Sequence, residues 1–417
     1  MTPSGVERPL DLLCVAARAP LTLADGDTIR VHGLLRALAE HHRVRFLGVG
    51  DATAHPAGAD ALRTLCDGRV DVVPAPAPSG APRARVERWA RALSSRTPIA
   101  SSTHRAPAVA ARLAELAPRC DGVVLLDNAV TVYEDALRRA RRRVVDVHQV
   151  AGWPLTHGAR PPLRHPAARA RRILDGALMR AYEARTLGDA DAIVVTSDEE
   201  AHRLRELYGL DAAAVVPSAV DLPSAPLRTA GSGVVAWIGG LGYGPNRTGL
   251  VRFVEEAWGP LGRAGYRLRI GGAGTTPEVQ ALTRHPGVEV LGFVDDLPAF
   301  LAEADAAVVP LWAGSGVKLK SVTFLAAGLP LVSTSVGVEG MGVVDGRDAL
   351  VRDDPEALAD GLRAVLGDPD LAGRLGAAGR DLVARELSWP VMGARFREVV
   401  ERAVPAAVSR PAAAAGR

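Results

Sequence analysis

The stretch VVAWIGGLGYGPN, Val234 to Asn246, decides the fold. Its first five residues, Val234 to Ile238, form an apolar run of strand length, suited to burial on both faces of a sheet. Gly239-Gly240-Leu241-Gly242-Tyr243-Gly244-Pro245-Asn246 then reads as a turn that lets backbone approach a ligand, and it ends at a helix whose N-terminus favours anions. A buried strand, a glycine turn and a helix make the opening unit of a parallel α/β sheet. The rhythm continues beyond it. Arg267 to Ile270, Val288 to Leu291, Ala306 to Val309 and Leu331 to Ser333 read as strands, each followed by a turn rich in Gly, Asp or Ser.

Working outward, Asp221 to Gly233 (DLPSAPLRTAGSG) has the composition of a linker. Upstream of it, Leu10 to Val15, Val44 to Val49, Val123 to Leu126, Val144 to Val147 and Ile193 to Thr196 are further strand-like runs, separated by helical spacing over Ile29 to Glu40 and Ala167 to Leu187. The reading is an α/β protein with a first domain at 1–220, a linker at 221–233, a second domain at 234–388, a final helix at 389–404 and a disordered tail at 405–417. Pro74 to Pro82, rich in Pro, Ala, Ser and Gly, is expected to be an exposed loop.

Composition excludes several classes. A net charge of +3 over 417 residues and 4% aromatics leave little for nucleic acid to bind. No apolar run approaches the roughly 20 residues of a membrane span, so no integral membrane contact is expected. Met1 to Pro9 lacks the features of a signal peptide, and Cys14, Cys66 and Cys120 are scattered without paired or metal-like spacing; both fit a cytoplasmic protein. The basic run Arg139 to Arg143 reads as the end of a solvated helix.

Of fifty basic residues, forty-eight are arginine; the two lysines, Lys318 and Lys320, stand together in Gly314-Ser315-Gly316-Val317-Lys318-Leu319-Lys320. Lysine is a compact point charge on a flexible stem, suited to a phosphate oxygen in a tight backbone cradle, where the planar guanidinium fork fits less well. The loop opens into an expected helix, Lys320 to Ala327, stopped by Gly328 and Pro330. Amides, helix dipole and two ammonium groups together suit a diphosphate. A third glycine turn, Gly271 to Gly274, is half of a dinucleotide fingerprint and by itself weak.

The stretch GSGVKLKSVTFLAAGLPLVSTSVGVEGM, Gly314 to Met341, resembles the donor-binding segment of family 4 glycosyltransferases, retaining enzymes of the GT-B fold. WIGGLGYGPN and VEVLGFVDDLPAFLAEADAAVVPL resemble other parts of that family's donor domain. Gly26 to Arg30 with HGLLRAL, DVHQV, and YEARTLGDADAIVVTS resemble landmarks of its first domain.

The resemblance implies two Rossmann-like parallel-sheet domains facing across a cleft, with the last helix crossing back to the first domain. It implies a nucleotide-sugar donor with its diphosphate on Ser315, Gly316, Val317, Lys318, Leu319 and Lys320, and its base near Phe293 and Val294. Gly240, Tyr243 and Asn246 would line the site, and Thr323 stands where many members carry a glutamate for the ribose hydroxyls. Lys318, Lys320 and His148 are the candidate catalytic residues; Gly26, Asp27 and Trp153 are candidates for the acceptor side. No paired carboxylates stand beside the lysine loop, so neither metal nor other cofactor is expected. The activity implied is transfer to a small acceptor with retention, in natural-product biosynthesis of an actinobacterial type. Open alternatives are a polysaccharide or lipid-linked acceptor, a non-catalytic sugar-nucleotide sensor, and a nicotinamide-dependent oxidoreductase. On residue type alone, His148, Asp127 and Asp146 are more often packing, capping or turn residues than catalytic ones.

Overall fold

The protein is described by a computed structural model covering residues 8–23, 25–75, 98, 105–153, 166–227, 231–314 and 316–405. It divides into two compact units, one with the described residues up to Val216 and from Gly393 onward, the other Pro217–Met392. Each is a parallel sheet with helical crossovers.

Among the described residues the first unit has seven strands: β1 (Asp11–Ala16), β2 (Arg43–Val49), β3 (Val70–Val73), β4 (Gly122–Leu125), β5 (Arg143–Val147), β6 (Ala192–Val195) and β7 (Ala214–Val215), in the order β3-β2-β1-β4-β5-β6-β7. All pairings are parallel. The central strands β1 and β4 are almost wholly buried, as their unbroken apolar runs require. β3 is half-exposed and was not read from the sequence; nor was the two-residue β7.

The second unit has β8 (Val234–Ile238), β9 (Arg267–Gly271), β10 (Val288–Gly292), β11 (Ala306–Val309), β12 (Leu331–Ser333) and β13 (Leu350–Val351), in the order β10-β9-β8-β11-β12-β13. One face is filled by Trp237, Phe253, Trp258, Leu268 and Ile270, with Phe253 and Trp258 edge to face at 6.4 Å between centroids. Each such side chain contributes roughly 1.5–3 kcal/mol relative to exposure. The helix Gly244–Phe253 lies so close to the chain after β11 that a Cβ at Gly249 would stand 2.0 Å from the Pro310 carbonyl oxygen. That contact couples the glycine turn after β8 to the start of the lysine loop.

The division between units falls ahead of the linker expected at 221–233. Residues 217–227 are packed on the second unit: Val220 bridges Ser388, Leu222 and Leu227 join its core, and Arg380 donates to the Pro223 carbonyl. Asp305 then accepts the Gly231 and Gly233 amides at 2.8 and 2.6 Å. The last helix, Trp389–Ala403, starts in the second unit, and from Gly393 on its residues belong to the first. There Gly393 meets Ala37, Val404 packs on Gly122, and Glu401 lies 3.3 Å from His42 Nε2. The tail beyond residue 405 and most of the loop expected at Pro74 to Pro82 lie outside the described residues.

Candidate functional site

In the second unit, β8 and β11 lie side by side where the strand order reverses, and the chain leaves their carboxyl ends into the glycine turn and the lysine loop. Such a point is where open α/β sheets bind ligands. The turn is built tightly against its neighbour: Gly239 donates to the Gly271 carbonyl at 3.0 Å, and Leu241 to Ala273 at 2.8 Å. Gly272, at φ +157°, has no room for a side chain, since a Cβ there would stand 1.7 Å from the Gly239 oxygen.

Both lysines converge here. Lys318, immediately before the helix Leu319–Ala326, donates to the Gly316 carbonyl at 2.6 Å and to Glu339 Oε2 at 2.8 Å. Lys320 donates to Asn246 Oδ1 at 2.6 Å and lies 4.4 Å from the centroid of the Trp237 ring. Lys320 is half-buried, and burial, with the Lys318 charge added, lowers it from 10.5 to about 7. Asn246 is itself oriented, its Nδ2 donating to the Gly240 carbonyl at 3.0 Å. The helix starts without a side-chain cap, leaving first-turn amides available to an anion.

The remaining donor-side candidates divide by exposure. Tyr243 and Phe293 are 59% and 58% exposed, unusual for aromatics without a partner surface. Gly240 is exposed; Val294 and Val317 are half-buried, Val294 beside Gly271 and Val317 against Gly340. Leu319 begins the helix, and the Thr323 hydroxyl donates back to its carbonyl at 2.8 Å, within the same helix. Ser315 lies outside the described residues. Trp312 is held, its Nε1 donating to Asp353 at 2.7 Å and Arg252 stacking on its ring.

The first unit gathers a second cluster. Asp25 caps the helix Gly26–Ala39 in a reciprocal box with Thr28, and Arg18 grips Asp25 through two bonds of 2.8 and 2.9 Å. Gly26 and Asp27 stand exposed in the first turn. His148, just past β5, has Nδ1 3.4 Å from Asp27 Oδ1 and Nε2 3.1 Å from Asp146 Oδ2, the second an ion-pair distance with the N–H not aligned on the oxygen. Burial opposes a charged ring, but Asp146 and Asp27 outweigh it and raise His148 to about 10. Asp146 is in turn held by Arg30 through two bonds of 2.7 and 2.6 Å. Burial works against this carboxylate, yet Arg30 and His148 keep it below its ordinary value. His148 thus sits between two carboxylates as an imidazolium, with both ring nitrogens carrying protons.

Three residues not singled out from the sequence complete this second cluster: Arg30, Glu183 and Glu200. The amides of Ala151 and Gly152 donate to Glu183 at 2.9 and 2.8 Å, and the Val150 amide to Glu200 at 2.7 Å. With Thr196 donating to the His148 carbonyl and Asn128 to that of Gln149, the segment carrying His148 is fixed on every side. Trp153, the acceptor-side candidate, is half-buried on the core with Arg203 over its ring. Asp127 caps the turn Asn128–Tyr133. Among the described residues no group of three or more His, Cys, Asp or Glu side chains could hold a metal ion, and no helix is long and apolar enough to cross a membrane.

Residues 232–368 match the family model for glycosyl transferases group 1. The glycogen synthase of Mycobacterium tuberculosis is 27% identical over 249 residues, 54% of this chain and 58% of that protein, so the chain spans little more than half the length of this relative. The D-inositol 3-phosphate glycosyltransferase of Xylanimonas cellulosilytica is 29% identical over 295 residues, 61% of this chain and 69% of the relative. Among solved structures, Anabaena HepE in complex with UDP and glucose aligns with a TM-score of 0.65 at 12% identity, covering 94% of this chain and 99% of that one. Sucrose-phosphate synthase from Thermosynechococcus elongatus gives 0.63 at 16%, covering 94% and 98%. The chain therefore has the GT-B fold of two parallel-sheet, Rossmann-like units, with the glycosyl transferases group 1 match in its second unit.

Proposed function

We propose that the protein transfers a sugar from a nucleotide diphosphate donor to a small hydroxylated acceptor, with retention of configuration and without a metal ion. The observation that carries this reading is the convergence of the chain's two lysines at the strand-order reversal of the second unit, inside the segment that matches glycosyl transferases group 1. Breaking the bond between the anomeric carbon and the diphosphate builds negative charge on the departing oxygens. Fixed cations aimed there stabilise the transition state more than the ground state. Lys318 and Lys320 supply those cations, with the uncapped helix start beside them. The acceptor oxygen bonds to the anomeric carbon and gives its proton to the leaving phosphate.

In the first unit His148, proton-laden on both nitrogens, serves as a donor to sugar hydroxyls and not as a base. Asp27, the exposed partner, is suited to accept from an acceptor hydroxyl. Gly26 and Trp153 are assigned to the same side, Phe293 and Val294 to the base, and Gly240, Tyr243, Gly316, Val317, Leu319 and Thr323 to the donor. The inositol phosphate relative supports a small acceptor; the glycogen synthase relative favours a polysaccharide as the second reading. A thermal-shift panel of nucleotide-sugars, followed by soluble and polymeric acceptors with the best donor, tests both. Absence of any stabilising nucleotide-sugar refutes the donor assignment.

A further inference from the structure

Lys318, its side chain 8% exposed, is the more buried lysine of the loop and is paired with Glu339, whereas Lys320 is half-buried against neutral groups. Its ammonium rests on the indole face of Trp237, a residue with no exposed surface, and its hydrogen-bond partner is the neutral Asn246. The wall behind it is backbone: a Cβ at Gly239 would stand 2.7 Å from Nζ. No carboxylate pairs with it among the described residues, whereas its neighbour Lys318 has Glu339. The charged group acting on Lys320 is therefore Lys318, whose own charge is matched by Glu339; β8 contributes Trp237, the turn after it Gly239, and the helix Gly244–Phe253 Asn246, all neutral.

We propose that Trp237 and Asn246 are positioning residues that hold Lys320 as a vacant proton acceptor, and that binding of a phosphate group at this loop is completed by uptake of a proton from solvent onto Lys320. The inference rests on the phosphate reading of the loop and goes beyond it. A dianionic ligand arriving beside a half-buried amine with only neutral partners supplies the counter-charge that the resting site withholds, which favours the ammonium form. The lowered Lys320 value of about 7 fits this arrangement, leaving a large unprotonated fraction at neutral pH. The indole face attracts a cation without discharging it, so it holds the amine in place in either state. Donor affinity then falls as the solution becomes more alkaline than about 7, by up to tenfold per pH unit, because the free site must first be protonated.

The presence of only two lysines makes the test direct. In protein labelled with 13C at lysine Cε, the Lys320 signal is assigned by its loss in Lys320→Arg, and its titration is followed from pH 5.5 to 10.5 with and without UDP-glucose. The diphosphate of UDP-glucose does not itself titrate in this range. The expected midpoint is near 7 in the free protein and above 9 in the complex. Calorimetry at pH 7.5 in two buffers of different ionisation enthalpy should find roughly 0.7 proton taken up per ligand. Asn246→Asp, which gives Lys320 a carboxylate at the cost of the bond to the Gly240 carbonyl, should raise the free midpoint above 9 and abolish proton uptake. Trp237→Phe should retain the lowered midpoint.

A free Lys320 that titrates near 10.5, or UDP-glucose binding with no proton uptake and constant Kd from pH 6.5 to 8.5, overturns the coupling and leaves the phosphate site standing. If neither lysine signal responds to UDP-glucose, UDP or GDP-mannose, the phosphate reading fails and this inference fails with it.

Discussion

Replacing His148 with glutamine tests the charge network of the first unit most sharply. In the folded protein His148 is raised from 6.5 to about 10 by Asp146 and Asp27 against the cost of burial. A group raised on folding gives its full stabilisation below its unfolded value and loses it as the pH rises through its folded value. The contribution is therefore complete below about 6.5 and gone above about 10, declining by about 1.4 kcal/mol per pH unit between, with a ceiling of about 5 kcal/mol. Glutamine keeps a hydrogen-bonding head but no charge. The assay is urea unfolding of wild type and His148→Gln at pH 6.5, 7.5, 8.5 and 9.5, read as the difference in unfolding free energy. Lys320 is lowered on folding and so adds the opposite slope, stability rising from about 7 to 10.5, but it does so in both proteins and cancels. The expected difference is largest at pH 6.5 and shrinks steadily toward pH 9.5. A difference that stays constant over that range would show that His148 carries no extra proton in the folded state, and the donor role assigned to it would fall.

Three further outcomes follow from the site. Lys318→Met should raise the barrier by about 3–4 kcal/mol through loss of a transition-state cation, while the melting temperature moves little because Glu339 is 39% exposed and can be hydrated; near-normal turnover would remove Lys318 from the chemistry. Transfer should be unchanged in excess chelator, and loss of activity restored by magnesium or manganese would refute metal-independent transfer. Because the Thr323 hydroxyl proton is committed to the Leu319 carbonyl, leaving only a neutral acceptor, wild type should prefer a ribose over a 2'-deoxyribose donor by less than about tenfold, or about 1.4 kcal/mol, and Thr323→Glu should increase that preference; a strong wild-type preference would mean another side chain holds the ribose.

The sheets were legible wherever strands are buried on both faces, because there composition alone carries the signal: β4, β8 and β11 read as unbroken apolar runs. β3, half-exposed throughout and containing Asp71, lacks that signal, and β7 and β13 are two residues long. The lysine loop was legible because lysine is rare in this chain. Arg30 was not, since it is one arginine among forty-eight on a helix that looks amphipathic, and its partner Asp146 lies 116 residues away. Nothing local marks a buried bidentate pair; only the fold brings its halves together. Glu183 and Glu200 were hidden for the same reason, because what they hold is backbone amides, which every sequence possesses.

His148 and Lys320 then illustrate why residue type does not settle chemistry. Burial pushes both toward the neutral form, and for both it is the largest single influence. His148 nevertheless ends up charged because Asp146, itself committed to charge by Arg30, cannot relinquish its own; three ionised groups in alternation are cheaper to bury than one. Lys320 faces an amide and an indole, neither able to carry a compensating charge, and the nearest ionised group repels it. The histidine, usually the group that titrates near neutrality, is locked as a cation, and the lysine, usually locked, is left to titrate. Exchanging one neutral partner for a carboxylate, as in Asn246→Asp, should therefore convert the second environment into the first, and the direction in which the Lys320 midpoint then moves depends on that partner alone.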